Sequence, residues 1–202
     1  MVRRLPPADL HSVRLDLTTV AAGALYRRIC HPRYPNPLGY GKTPSRFSDP
    51  RPRIPANRFG VLYLGISLNV CFLEAVLRDQ HDGVVADFPI RESELRVRQY
   101  AEIEITRAIS VVDLRANGAV RLGMPSDVVR GLRQGPARRW SLAFYCHPQA
   151  PDGIMYPSRL NGETNLAIYD RAVSKLAIAG TCALIDAPNL AEVLNDLGVA
   201  LA

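Results

Sequence analysis

The chain has 202 residues, of which 48% are hydrophobic, and a formal net charge of +6. It is long enough for one sizeable core, and no stretch approaches about 18 consecutive apolar residues, so no membrane-spanning segment is expected. The arginines are dispersed and not interleaved with aromatic residues, which disfavours direct nucleic-acid binding despite the basic charge. Because the guanidinium group matches the geometry of phosphate, a phosphate-bearing small molecule is the favoured anionic partner.

Cysteine and histidine spacing gives no sign of a disulfide framework or a metal site. Cys30, Cys71, Cys146 and Cys182 are scattered and form no CxxC pair, which predicts reduced thiols. The histidines have no ligand-like spacing with each other or with a cysteine, so no metal is expected.

The amino-terminal segment is predicted to be an extension. Residues 1–20 are polar and are expected to form a weakly structured lead-in or a short capping element, which leaves a single domain at 23–202 after an extension at 1–22. The two early arginines are not followed by the apolar segment of a secretion signal, because charged residues interrupt it. A cytoplasmic location is therefore expected.

A first strand is predicted over residues 23–30, and a proline-dense stretch follows from Pro32 to Pro55. Proline removes backbone donors and fixes φ, so this stretch is expected to be a long loop. Loops of that length are uncommon in compact domains and are often functional.

The rest of the chain mixes short strands with helices. Ser67 is a suitable N-cap for a helix that runs to about Asp79, and alternating apolar and acidic residues over 97–105 predict a half-buried strand. Further strands are predicted at 61–65, 109–112, 153–156, 165–169 and 175–178, and further helices at 126–132, 136–145 and 190–197. Because strands and helices do not alternate regularly, the pattern favours an α+β fold over a doubly wound one.

Glu74 is the most informative residue, because it interrupts an apolar segment. Burial of a carboxylate is costly unless the group has a partner or a function. Arg27, Arg46 and Tyr63 lie in upstream segments that can converge on it. The alternative is that Glu74 forms an exposed ion pair with Arg78, four residues later on the same helix, while the other side chains serve the core or face solvent.

Taken together, four segments resemble the RES-domain family, the toxin halves of a class of bacterial toxin–antitoxin systems. The likeness runs from about residue 25 to 179, and eleven positions separate Tyr63 from Glu74. The family usually has a glycine pair before the loop arginine and Trp-Asn after it, whereas this chain has Pro44-Ser45 and Phe47-Ser48. The four segments are Leu25-Tyr26-Arg27, Ser45-Arg46-Phe47-Ser48, Leu62-Tyr63-Leu64-Gly65-Ile66-Ser67 with Glu74, and Asp152-Gly153-Ile154-Met155-Tyr156-Pro157-Ser158-Arg159.

The resemblance implies a fold and a reaction. RES proteins look like ADP-ribosyltransferases, so residues 23–202 are expected to form a catalytic α+β domain with an ADP-ribosyltransferase-like mixed sheet and flanking helices. RES proteins consume NAD, several by phosphorolysis or hydrolysis of the nicotinamide–ribose bond. The implied partners are NAD as substrate, inorganic phosphate in the phosphorolytic case, and an antitoxin with a helix-turn-helix portion; a homo-oligomer is left open.

The same resemblance implies roles for individual residues. Glu74 is expected to stabilise positive charge on the ribose carbon during bond cleavage. Arg46, together with Arg27, is expected to hold the pyrophosphate, and Tyr63 to stack against the nicotinamide ring. Ser158 is expected to complete the catalytic set with Glu74 and Arg46 by hydrogen bonding to ribose or phosphate.

Two other functions stay open from the sequence. The chain can be a transferase that attaches ADP-ribose to a protein or nucleic acid, or a non-catalytic module that binds a nucleotide or an antitoxin. A role as a secreted effector also stays open.

Overall fold

A mixed sheet of eight strands forms the centre of the described part of the chain, which comprises residues 4–78, 80 and 87–202 of the computed structural model. Together with those of a separate two-stranded sheet, the described strands are β1 (Leu17–Val20), β2 (Leu25–Cys30), β3 (Val61–Gly65), β4 (Phe88–Ile90), β5 (Gln99–Ile105), β6 (Ile109–Asp113), β7 (Gly153–Pro157), β8 (Thr164–Tyr169), β9 (Leu176–Ala183) and β10 (Val199–Leu201). The α-helices are α1 (Leu68–Phe72), α2 (Glu92–Arg96), α3 (Gly118–Arg121), α4 (Ser126–Arg130), α5 (Gly135–Tyr145) and α6 (Leu190–Asp196).

The strand order of the large sheet is β1-β6-β7-β8-β3-β2-β5-β9. Its neighbours pair antiparallel except for β6 and β7, which are parallel, while β4 and β10 form a separate two-stranded parallel sheet. The expected α+β class is therefore confirmed. Within the described ranges, no helix has the length and apolar character needed to cross a membrane.

The amino-terminal segment differs from the prediction. Residues 17–20, expected within a weakly structured lead-in, form the edge strand β1 and pair with β6 in register from Leu17–Val112 to Val20–Ile109. The prediction followed the polar residues before this segment and overlooked a short run of β-branched residues. That run is long enough to pair with an existing strand. The predicted helix end at Asp79 lies outside the described residues.

The strands β2 and β3 separate soon after they meet. Within the described residues their ladder contains the single pair Arg27–Gly65, and at the other end of β3 the backbone of Val61 pairs with Gly41 of the proline-rich loop. The loop thus takes a place beside β3 that β2 leaves empty. The resulting gap between the two strands is where the cavities described below open.

Helix α1 approaches the sheet closely, and this approach depends on a glycine. A Cβ atom placed on Gly65 would lie 2.6 Å from both Cys71 Sγ and a methyl group of Val70. Since real Cβ atoms do not approach other atoms this closely, only glycine lets α1 lie against the end of β3. The helix axis is thereby fixed relative to β3 and β8, whose residues Gly65 and Asn165 are paired.

All four cysteines are free thiols, as predicted, and Cys71 is buried on the inner face of α1. Burial raises the pKa of the Cys71 thiol to about 12, from an ordinary value of 9.0. The folded protein therefore keeps a proton that the unfolded chain loses, so the stabilisation is complete below pH 9 and is lost as the pH rises towards 12.

We expect Cys71→Ala to lose less stability than the unmodified chain when the pH rises from about 8.5 to about 11, because one proton contributes up to about 1.4 kcal/mol per pH unit. Urea unfolding at several pH values measures this difference. Parallel loss of stability in the two proteins would contradict the assignment.

Candidate active site

Glu74 lies on a widened turn that continues helix α1. Ser67 is the N-cap, and its hydroxyl oxygen accepts a hydrogen bond from the Val70 amide, as predicted. The helix then becomes π-helical over Leu73–Leu77, and the Arg78 amide closes it by donating to the Leu73 carbonyl at 2.6 Å. Such turns occur frequently at functional sites because they redirect side chains from the regular helical face.

One oxygen of the Glu74 carboxylate is held by two neutral donors. Ser158 Oγ donates to Glu74 Oε1 at 2.8 Å, and Asn165 Nδ2 donates to the same atom at 3.3 Å. No described residue donates to Oε2, and no ion pair joins Glu74 to a described arginine or lysine. The carboxylate is therefore fixed in orientation while one oxygen is left for a ligand.

Ser158 lies behind Glu74 and does not line the cavity. Its side chain is fully buried, and its Oγ accepts a hydrogen bond from the Leu160 amide while donating to Glu74. Because a hydroxyl has one proton, that donor is committed to the carboxylate. Ser158 thus positions Glu74, in contrast to the expected direct contact with ribose or phosphate.

The sheet places two further residues beside Glu74 that the sequence did not assign. Tyr156 on β7 and Asn165 on β8 are direct cross-strand partners, so their side chains share one face of the sheet. Burial raises the pKa of Tyr156 well above its ordinary value of 10.0, and the nearby Tyr63 phenol and Glu74 carboxylate raise it further. The Tyr156 phenol therefore stays a neutral hydroxyl.

Arg46 is presented by a loop that Tyr63 holds in place. The Tyr63 hydroxyl accepts a hydrogen bond from the Phe47 amide at 2.9 Å and is bonded to Ser45 Oγ at 2.9 Å, so it grips both neighbours of Arg46. The Arg138 guanidinium donates to the Ser45 carbonyl from the other side at 2.8 Å. Burial raises the pKa of Tyr63, which keeps this hydroxyl protonated.

The Arg46 side chain itself is oriented by backbone groups. Its Nη1 donates to the carbonyls of Val129 and Gly131 at 3.0 and 2.9 Å, at the carboxyl-terminal end of α4. These contacts fix the direction of the guanidinium but leave its charge without a carboxylate partner among the described residues. An anionic ligand would supply that partner.

These residues surround a cavity of about 440 Å³, a volume within the range of small-molecule sites. Glu74 is the one acidic residue among its described lining residues, and the positively charged ones are Arg28, Arg46, Arg78 and Arg159. Glu74, Arg46 and Tyr63 therefore converge as predicted. Their convergence in a cationic cavity excludes the alternative of an exposed carboxylate on the outer surface.

A sequence profile of the RES domain matches residues 24–185. The chain belongs to the RES domain family. A curated relative, the probable toxin y4kH of Sinorhizobium fredii (strain NBRC 101917 / NGR234), is 36% identical over 124 residues, which are 61% of this RES chain and 98% of the relative.

A solved structure shares the fold of this RES chain. It is the Mycobacterium tuberculosis MbcT–MbcA toxin–antitoxin complex, in which one chain matches with a TM-score of 0.59 and 16% identity over 81% of this chain and 85% of that chain. The expected α+β fold with a mixed sheet and flanking helices is therefore confirmed.

Arg27 of the RES motif does not reach the cavity, whereas its neighbour Arg28 does. Arg27 lies directly opposite Glu102 in the β2–β5 register, and its Nη2 is 3.6 Å from Glu102 Oε1. Its Nη1 donates to the carbonyls of Leu25 and Ile66. The expected convergence of Arg27 with Glu74 is thus not observed, because successive residues of a strand point to opposite faces and the cross-strand acid engages this one.

The departure from the family motif after Arg46 has a visible structural consequence. Phe47, where RES proteins usually have tryptophan, is almost fully buried and packs edge-on against Tyr156 with ring centroids 4.8 Å apart. An aromatic anchor beside the loop arginine is therefore retained. Within the described ranges, no cluster of three or more His, Cys, Asp or Glu residues is arranged to hold a metal ion.

We expect Tyr63→Phe to destabilise the fold by about 1–3 kcal/mol, because the change leaves the buried Phe47 amide without its acceptor. Chemical denaturation measures the loss. Tyr34→Phe is the matched control, since the Tyr34 side chain is 71% exposed and makes no hydrogen bond in the described part of the chain. Equal stability of the two variants would show that the hydroxyl does not hold the Arg46 loop.

Proposed function

We propose that this RES protein cleaves the nicotinamide–ribose bond of NAD by phosphorolysis or hydrolysis, and that it acts as a toxin neutralised by a cognate antitoxin. The observation that carries the proposal is the Glu74 carboxylate, held through one oxygen by Ser158 and Asn165 in a cavity whose other charged lining residues are arginines. A dinucleotide with an anionic pyrophosphate and a cationic nicotinamide ring suits this distribution of charge.

The chemistry of the bond explains the need for a lone, oriented carboxylate. As nicotinamide leaves with the bonding electron pair, positive charge develops on the ribose carbon in an oxocarbenium-like transition state. A fixed carboxylate stabilises that charge without having to reorganise, and this preorganisation is usually the largest contribution to catalysis. Ser158 and Asn165 act through Glu74 by holding it, and are therefore positioning residues.

The remaining residues bind and orient the substrate. Arg46, with its direction fixed by two carbonyls, binds the pyrophosphate through charge-assisted hydrogen bonds. The Tyr63 ring lines the cavity and stacks against the nicotinamide, while Tyr156 offers a neutral hydroxyl close to Glu74 and Arg46. Arg28 takes the binding role that the sequence suggested for Arg27.

The toxin assignment rests on the relatives. The Sinorhizobium relative is named a probable toxin, and the Mycobacterium structure is titled a toxin–antitoxin complex. We infer that an antitoxin with a helix-turn-helix portion covers the cavity opening. We also infer that residues 23–202 form the catalytic domain, to whose sheet the extension at 1–22 adds the edge strand β1. The net charge of +6 complements an acidic segment of such an inhibitor.

Glu74→Gln should abolish nicotinamide release while the fold is retained, because the amide oxygen of glutamine can accept both hydrogen bonds from Ser158 and Asn165 but carries no charge. Chromatographic assay of nicotinamide and thermal unfolding measure the two properties. Glu192→Gln, at an exposed position of α6, is the matched control and should release nicotinamide at the unmodified rate. Turnover by Glu74→Gln at that rate would end the catalytic assignment.

Arg46→Ala should raise KM for NAD by roughly 10-fold or more with a smaller change in kcat, because a hydrogen bond to a charged group contributes about 1.5–3 kcal/mol. Arg139→Ala is the control, since Arg139 is exposed on α5 and does not line the cavity. Steady-state kinetics separate the two parameters. A KM equal to that of the control would contradict the pyrophosphate contact.

Product analysis with radiolabelled NAD distinguishes the open alternatives. A small labelled product that forms only with added inorganic phosphate indicates phosphorolysis, and one that forms without it indicates hydrolysis. Label on a macromolecule would instead indicate a transferase, and intact NAD would indicate a non-catalytic binding module.

A further inference from the structure

A second cavity, of about 720 Å³, adjoins the Glu74 cavity on the side of the proline-rich loop. The two cavities share a border that consists of Arg28, Ile29, Ser45, Tyr63, Ala75 and Arg78. The wall beyond this border is formed mainly by residues 30–43, the segment that fills the space between the separating strands β2 and β3. A ligand longer than the first cavity can therefore continue into the second.

The second cavity has a larger excess of positive over negative lining residues than the first. Arg28, Arg33, Lys42, Arg78 and Arg98 line it, and no Asp or Glu does so among the described residues. Arg98 is paired with Glu94, but the Arg33 side chain makes no hydrogen bond within the described ranges. The surplus of positive charge favours an anionic ligand.

Arg28 places one of these positive charges at the border between the two cavities. Its Nη1 donates to the carbonyls of Pro37 and Gly39, both at 2.6 Å, and no described carboxylate pairs with it. Burial lowers the pKa of this guanidinium, which reflects a partly desolvated charge without a compensating anion. A phosphate group at the border would supply that anion.

The second cavity is also lined by an aromatic ring, that of Tyr40. The Tyr40 ring lies against Gly60, where an added Cβ would come within 2.0 Å of a ring carbon, so the ring is seated on the glycine backbone. Although seated, Tyr40 is 44% exposed, and the neighbouring Tyr34 is 71% exposed. An exposed ring held in place within a cationic cavity is a stacking surface for a planar base.

We propose that the second cavity binds the adenosine half of the dinucleotide, with the base stacked on Tyr40. The adenosine-side phosphate then lies at the border formed by Arg28 and Arg78, and Arg46 binds the other phosphate of the pyrophosphate inside the first cavity. This assignment rests on the proposed cleavage of NAD, whose nicotinamide riboside half then occupies the Glu74 cavity. The second cavity supplies affinity and substrate choice, while Glu74 supplies the chemistry. Nicotinamide mononucleotide, which lacks the adenosine half, occupies the first cavity alone.

The test compares two substrates on matched variants. Tyr40→Leu keeps an apolar side chain on Gly60 but removes the aromatic face, so it should lower kcat/KM for NAD by about 10-fold and leave that for nicotinamide mononucleotide unchanged. Arg33→Ala should likewise lower kcat/KM for NAD and leave that for nicotinamide mononucleotide unchanged. Arg53→Ala removes an exposed arginine of the same loop that lines neither cavity, and it should leave kcat/KM unchanged for both substrates.

Binding of ADP to the Glu74→Gln protein, measured by calorimetry, separates the two proposals. ADP binding that Tyr40→Leu weakens by about 10-fold supports the adenosine site even if neither substrate is turned over, in which case the cleavage proposal alone falls. Two results would overturn the adenosine site and leave the cleavage proposal standing. One is that Tyr40→Leu and the Arg53→Ala control turn over NAD with equal kcat/KM. The other is that Tyr40→Leu lowers kcat/KM equally for NAD and for nicotinamide mononucleotide. Absence of both ADP binding and turnover would overturn both.

Discussion

The site is organised around one oxygen atom of Glu74, which accepts hydrogen bonds from the hydroxyl of Ser158 and the amide of Asn165. Both donors are neutral, so they orient the carboxylate without neutralising it. An arginine in their place would form an ion pair and would compete with the positive charge that the proposed reaction develops on the ribose. Arg46 and Arg28 are instead held by carbonyl groups, and their charge remains available to an anionic ligand.

This arrangement requires three parts of the fold to meet. The β7–β8 pair supplies Ser158 and Asn165, the turn after α1 supplies Glu74, and the proline-rich loop supplies Arg46. Gly65 allows α1 to approach β3, and the Tyr63 hydroxyl fixes the backbone on both sides of Arg46. Tyr63 thus combines two tasks, since its ring lines the cavity while its hydroxyl anchors the loop.

Much of this structure follows from the sequence, because local patterns determine it. The Ser67 cap, the strands β3 and β5 and the long proline-rich loop depend on side-chain alternation, capping and proline geometry, all of which are local. The position of Glu74 in a cavity with Arg46 and Tyr63 was predicted from the incongruity of a carboxylate in an apolar segment and from the order of the RES motifs.

What the sequence did not reveal depends on long-range geometry. Glu102 determines that Arg28, and not Arg27, lines the Glu74 cavity. It lies more than seventy positions away in the sequence and pairs with Arg27 only because β2 and β5 are neighbours. The role of Asn165 is visible only when β8 is placed between β3 and β7. Its one available signal was a polar residue at the start of an otherwise apolar strand, and that signal alone does not name a partner.

Single-turnover and steady-state kinetics of the Ser158→Ala variant with NAD test most directly whether the oriented Glu74 carboxylate is the basis of the proposed cleavage. The lost hydrogen bond should lower kcat by roughly 10- to 100-fold, since such bonds to charged groups contribute about 1.5–3 kcal/mol, and should leave KM nearly unchanged because Ser158 does not line the cavity. A folded Ser158→Ala protein with unchanged kcat would contradict the role of this hydrogen bond, and with it the central place of Glu74 in the site.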